Sequence, residues 1–286
     1  MIKEHFQLTL FDKGIFERVV FKAPMTAPGI MHNEACFIYA VAGASKVFSA
    51  TSEMPLHTEE AVVMKCGNYL NSWLETVDQS ACEAIAIHFY PDVLKKIYDK
   101  ELPDFFKSIK DLTPSCIAKV KSSTLLKNYI NSLQFYFKNP ELVNEELLKL
   151  KLKEIILLLI KTDASGDMKR LLASLFTPTE YSFKELVEAN IFTNLSLSEL
   201  ALLHGVSLSS FKREFNKVYN ESPGRYFKRR KLERAAKLLL STNERIGDIA
   251  FNCGFSEVAH FSNSFHDQFG CSPTDYRLSQ NSKELT

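Results

Sequence analysis

Two sets of polar side chains carry the chemistry that this sequence can do. Ser209, Lys212, Arg213 and Asn216 project from a predicted helix roughly opposite Phe211, Phe215 and Val218, which face a core. Ala259, Ser262, Asn263 and His266 form the matching outward set about fifty residues later. An exposed helical face of this kind fits a nucleic-acid major groove, where Arg favours guanine edges and Asn favours adenine. Between the two sets, Arg229 and Lys231 are placed to hold phosphates or to face solvent.

The elements behind these residues are written twice. Leu197-x-x-Leu200-Ala201-x-x-x-Gly205-Val206-Ser207 is matched by Ile246-x-x-Ile249-Ala250-x-x-x-Gly254-Phe255-Ser256, at an offset of 49. After the turn the offset is 50, so that Phe211 and Phe215 match Phe261 and Phe265, and Ser222-Pro223-x-x-Tyr226 matches Ser272-Pro273-x-x-Tyr276. Leu197, Leu200 and Ala201 share one helical face, and the small Ala lets a second helix cross closely. Gly205 ends the helix in a turn that most residues would strain, and Ser207 caps the next helix. Each copy is a helix, a short turn and a second helix.

Ser222-Pro223 predicts an N-cap and first helical position, opening a helix that runs to about Leu240. At about 1.5 Å per residue, such a helix spans roughly 27 Å. With helix widths added, it can set two recognition helices about one duplex turn apart.

These motifs resemble the AraC family of bacterial transcription regulators over Leu195 to Arg277. Weaker similarity to the family's ExsA-like subgroup lies in Glu60-Ala61-Val62-Val63 with Gly67-Asn68-Tyr69, in Leu150-x-Leu152-x-Glu154, and in Ser210-Phe211-Lys212. The resemblance implies a cupin-like regulatory barrel ahead of the DNA reader, dimerisation through helices between the domains, and activation by recruiting RNA polymerase. The ExsA-like similarity implies that an inhibitory protein replaces a small effector as the controlling partner.

Composition agrees with two domains. The 286 residues are 45% hydrophobic, enough for a substantial core, and carry a net charge of +1. That average argues against a general polyanion binder but hides a local excess. From Val206 to Lys237 ten basic residues face Glu214, Glu221 and Glu233, a balance of about +7. No export signal is visible at the N-terminus, and the run Ile155 to Ile160 is too short to span a bilayer. Six cysteines with no Cys-x-x-Cys pair fit reduced thiols of a cytoplasmic protein.

From Phe6 to Tyr90 the pattern is mostly strand: Phe6 to Phe11, Phe16 to Lys22, Ala35 to Val41, Lys46 to Ala50, Ala61 to Lys65 and Cys82 to Phe89. Turn signals between them predict a small sandwich or barrel. His32-Asn33-Glu34 echoes part of a cupin metal segment, but only His57 and His88 remain as further ligands and neither has matching spacing, so no metal is expected. Phe37, Tyr39 and Trp73, with Phe48 and Tyr69, serve either as core filling or as the lining of an effector pocket.

Pro91 opens a short helix, and Pro103 and Pro114 mark the exit from the β domain. One helix carries Leu126, Tyr129, Ile130, Leu133 and Phe137. A second carries Leu148, Leu152, Ile155 and Leu159, a heptad-like seam assigned to dimerisation. Thr162 to Asp167 reads as a connection, and Pro178 precedes the helix Phe183 to Ile191.

The expected molecule is α+β. Residues 1–110 form a cupin-like β-barrel, 111–175 a helical linker and dimerisation segment, and 176–286 an all-α domain with two helix-turn-helix motifs. The expected function is sequence-specific binding of double-stranded DNA by a homodimeric, cytoplasmic, non-enzymatic regulator without a cofactor. The alternative is a cupin-type metal-dependent enzyme with a DNA-binding tail.

Overall fold

The computed structural model describes residues 2–75, 81–98, 116–120, 122–162, 167–175 and 181–281. The chain divides into two compact units, Met1–Glu180 and Tyr181–Thr286. The predicted signals at Pro103, Pro114, Pro178 and 163–166 lie outside the described residues.

The first unit begins with a long hairpin. β1 (Ile2–Leu10) and β2 (Lys13–Phe21) pair antiparallel across Phe11 and Asp12. Both turn residues have positive φ, 53° and 62°, the twist that suits a two-residue hairpin turn. The other strands are β3 (Met25–Met31), β4 (Ala35–Ala42), β5 (Ser45–Phe48), β6 (Glu53–Leu56), β7 (Ala61–Met64), β8 (Gly67–Trp73), β9 (Cys82–Phe89) and β10 (Ile117–Val120).

They form a six-stranded sheet, ordered β1-β2-β9-β4-β7-β10, and a four-stranded sheet, ordered β3-β8-β5-β6. Every strand pair is antiparallel. The expected barrel is therefore open, two sheets and not one closed wall. β3 and β6 escaped the sequence pattern because they contain Pro28 and Pro55. Both strands lie at the edges of the smaller sheet, where a missing N–H costs no ladder bond.

Alternation along β4 divides the first unit into two cores. Cys36 and Ala40 pack with Tyr69, Trp73, Phe21 and Val47 of the strands. Phe37 and Tyr39 pack with Phe16, Ile85 and Ile87, and that cluster continues into the helices α1 (Pro91–Ile97), α2 (Thr124–Lys138), α3 (Glu145–Lys161) and α4 (Asp167–Ala173). Ser123 and Asn144 cap α2 and α3 by accepting the backbone N–H of Leu126 and Leu147.

This packing corrects the dimer seam. Leu148, Leu152, Ile155 and Leu159 are 5% exposed or less and sit in the same cluster as the sheet and α2. The sheet face needs an apolar cover, and the seam supplies it. The opposite face of α3 carries Leu150 and Leu157, 63% and 51% exposed and one heptad apart.

The second unit is helical: α5 (Phe183–Asn190), α6 (Leu197–His204), α7 (Leu208–Tyr219), α8 (Pro223–Ser241), α9 (Ile246–Asn252), α10 (Val258–Phe269) and α11 (Pro273–Asn281). Ser182 with Glu185 and Ser196 with Glu199 form capping boxes at α5 and α6.

Candidate nucleic-acid interface

The two helix-turn-helix copies close by the same hydrogen bonds. Gly205 N–H donates to the Leu202 carbonyl and Val206 N–H to the Ala201 carbonyl, both at 2.9 Å. Forty-nine residues on, Gly254 N–H donates to Phe251 at 2.9 Å and Phe255 N–H to Ala250 at 3.0 Å. Gly205 and Gly254 adopt φ of 78° and 79°, a region costly for side-chain-bearing residues.

The change of offset from 49 to 50 lies in the turn. Ser207 is the N-cap of α7 and accepts the Ser210 N–H, whereas α10 starts one residue later, behind Glu257, with no side-chain cap. Ser256, the sequence counterpart of Ser207, is thus not the cap.

Each copy has its own core against one half of α8. In the first, Phe183, Phe211, Phe215, Tyr219 and Tyr226 stack with ring centroids 4.4–6.5 Å apart. In the second, Phe255, Phe261 and Phe265 pack with Leu232, Ala235, Ala236, Leu239, Ile249 and Ala250. Arg277 on α11 secures the second copy by donating to the carbonyls of Leu239 and Glu244 at 3.2 and 2.8 Å.

Burial of the Phe pairs turns the predicted polar faces outward. Ser209, Lys212, Arg213 and Asn216 on α7 are exposed, and so are Ala259, Asn263 and His266 on α10, with Ser262 half-buried. Val218, expected in the core, is instead 36% exposed, because Phe215 and Tyr219 fill that side. Glu214 pairs with His204 at 3.4 Å, across the helix-turn-helix, and so points away from its neighbour Arg213. Among the described residues, Lys212, Arg213 and Lys217 have no ion-pair partner, so a cationic face is left for a polyanion.

The connecting helix α8 sorts its own basic residues. Arg229 is held by Glu221 at 2.6 Å and Glu233 at 2.9 Å. Arg230 pairs with Glu188 at 3.0 Å, the same carboxylate that accepts the Tyr226 hydroxyl at 2.6 Å. Lys231 donates to the Gly254 carbonyl at 2.8 Å and to the Thr193 carbonyl at 3.4 Å, and burial lowers its pKa. Arg229 and Lys231, expected on phosphates or facing solvent, are instead engaged within the protein. Arg225, Lys228, Arg234 and Lys237 are the exposed cations of this helix.

The first unit does not gather its aromatic candidates into one site. Phe37 and Tyr39 face the helical cover, while Trp73 lies between the sheets with its ring 5.0 Å from Phe21. His32 and His57 are exposed. Glu34 instead meets His88, whose Nδ1 lies 3.3 Å from it and whose Nε2 lies 3.3 Å from Glu17; His5 contacts the other Glu17 oxygen. Burial opposes charge on His88, but the two carboxylates outweigh it and raise its pKa to about 9. Contact with His88 in turn lowers both carboxyl groups. Strand pairing brings His5, Glu17 and His88 together from three adjacent strands, a meeting that linear spacing cannot reveal. Among the described residues, no group of three or more His, Cys, Asp or Glu is arranged to hold a metal.

A β-sheet and helix unit joined in one chain to two matched helix-turn-helix motifs defines a transcription regulator of two-unit type. Comparison with known proteins agrees. Residues 35–171 match the ExsA N-terminal regulatory domain, and residues 200–279 match a helix-turn-helix domain. The chain is 27% identical to the HTH-type transcriptional activator RhaR of Mannheimia succiniciproducens over 248 residues, 78% of this chain and 87% of that protein. It is 32% identical to the virulence regulon transcriptional activator VirF of Yersinia enterocolitica over 134 residues, 47% of this chain and 49% of that protein. A crystal structure of ToxT from Vibrio cholerae aligns with 93% of this chain and 98% of its own, at 14% identity and a TM-score of 0.38. Both units of the chain are thus similar to those of HTH-type transcriptional regulators. Among the described residues, no helix is long and apolar enough to cross a membrane.

Proposed function

We propose that this protein is a cytoplasmic activator of transcription that reads two adjacent major-groove segments of duplex DNA, one with α7 and the other with α10. One observation carries the reading: two copies of one motif, each with a buried Phe pair and an exposed polar face, sit on opposite halves of a 19-residue helix. Base edges are read by Lys212, Arg213 and Asn216 on α7, and by Asn263 and His266 on α10, while Arg225, Lys228 and Lys237 attract phosphates. In this reading 1–110 and 111–175 form the controlling part, and 176–286 the reader. Control comes from a small effector or an inhibitory protein, and RNA polymerase is the activation partner.

The protein acts as a homodimer in this reading. With the Leu148 seam committed to the chain's own core, the exposed Leu150 and Leu157 stripe of α3 is the face assigned to the second copy. Selection of bound duplexes from a random library by the purified full chain, followed by protection mapping, tests the function. Two protected clusters about one duplex turn apart are expected. Failure to enrich any sequence would remove it.

A further inference from the structure

The loop before α6, the middle of α8 and the turn of the second helix-turn-helix meet at one side chain. Lys231, on α8, donates to the carbonyl of Gly254 in that turn at 2.8 Å and to the carbonyl of Thr193 in the loop at 3.4 Å. The loop is itself internally fixed. Thr193 donates both its N–H and its hydroxyl to the Asn190 carbonyl, at 3.3 and 3.0 Å, and the buried Asn190 amide donates to Leu186 on α5. One turn further along α8, the Arg234 guanidinium lies 4.2 Å from the centre of the Phe192 ring. Backbone meets backbone at the same point. A Cβ added to Gly254 would stand 2.8 Å from the Phe192 carbonyl oxygen and 2.9 Å from the Lys231 Nζ. No side chain fits between the turn and the loop.

We infer that Lys231 is a positioning residue that locks the two helix-turn-helix motifs in one relative orientation, and so sets the spacing of DNA segments that the protein accepts. The inference rests on the two-segment reading above. Each motif has its own hydrophobic core on α8, so the cores alone do not fix how one recognition helix is turned relative to the other. The junction supplies that restraint, because the loop leads into α6 of the first motif and Gly254 belongs to the second. An ammonium suits the place: it offers three donors on a flexible stem, and the acceptors are carbonyls from two separate segments. Without it, the Gly254 carbonyl in the turn loses the Lys231 donor.

The restraint makes a prediction that a phosphate contact does not. One added base pair moves the second segment by about 3.4 Å and turns it by about 34°. A rigid reader then loses most base contacts of one motif, worth about tenfold or more in affinity at 1 to 3 kcal/mol per good contact. A reader without the lock follows the shift at smaller loss.

The experiment uses the full-length chain and duplexes that it selects from a random library, together with versions carrying one base pair inserted or deleted between the two protected clusters. Each duplex is titrated at several salt concentrations with wild type, Lys231→Met and Lys231→Arg. Wild type is expected to lose about tenfold on insertion, Lys231→Met less than about threefold, with Lys231→Arg near wild type because it keeps a donor. The salt slope of Lys231→Met should equal that of wild type. A slope lowered by about one counterion with the spacing penalty intact would make Lys231 a phosphate contact and overturn the inference. So would a spacing penalty unchanged in every variant. If circular dichroism shows Lys231→Met unfolded, Arg234→Gln is titrated in its place, since it loosens the junction at Phe192 without stripping a carbonyl. An unchanged penalty in that variant equally overturns the lock. Protection of a single cluster by wild type would remove the two-segment reading itself, a result visible before any variant is made.

Discussion

Arg213 stands out on the proposed reading face because its neighbour Glu214 is turned toward His204, which leaves the guanidinium exposed on α7. Its removal should relax specificity more than it weakens binding. Arg213→Ala is expected to lose about 1 to 3 kcal/mol of discrimination, mainly at one base position, with random DNA bound nearly as before. Titration against single-base variants of a selected duplex checks this; equal weakening on every sequence, with a salt slope lower by about one, would make Arg213 a backbone contact. His88 yields a prediction about stability. Its folded pKa of about 9 exceeds the ordinary 6.5, so its ion pairs with Glu17 and Glu34 stabilise fully below pH 6.5 and are lost as pH rises through 9. The effect is on the order of 3 kcal/mol. Thermal melts from pH 6 to 10 should show a fall in Tm that His88→Gln lacks; parallel curves for the two proteins would contradict it. The exposed polar face of α7 was legible from Phe periodicity alone. The internal engagement of Lys231, and of Arg229 by Glu221, was not, because Glu221 and Gly254 lie in turns and Thr193 in a loop, whereas Glu233 is Arg229's i+4 neighbour on α8.

The two faces of α3 allow folding and the proposed association to be tested apart. Leu152 is fully buried beneath the sheet, so Leu152→Glu places a charge in the core and should cost more than about 3 kcal/mol, seen as loss of the cooperative melt. Leu150→Glu with Leu157→Glu touches exposed positions and should keep the melt while shifting sedimentation from dimer to monomer. An unchanged dimer would exclude this face. Helices were legible where caps and apolar stripes coincide, as at Ser123 and Asn144. Which stripe meets the sheet and which meets a partner was not, because both are leucine-rich and the choice depends on the sheet face they cover. Strands were legible where alternation is uninterrupted, as in β2, β4 and β9. β3 and β6 were hidden by proline at positions that only an edge tolerates, and β8 by the Gly67 that opens it.

At the scale of the whole molecule, the second unit contains both motifs, α8 and its own two cores, so residues 176–286 should fold alone. The fragment is expected to keep the sequence preference of the full chain, at lower affinity if the first unit supplies dimerisation. A folded fragment with no preference for a selected duplex over random DNA would contradict that division. Joint entry of α7 and α10 into adjacent turns of one duplex is read out by methylation interference at guanine N7, which lies in the major groove. On a selected duplex, two clusters of interfering guanines about 10 base pairs apart are expected, with Arg213→Ala changing one cluster and Asn263→Ala the other. A single cluster, or two clusters that respond alike to both substitutions, would contradict it.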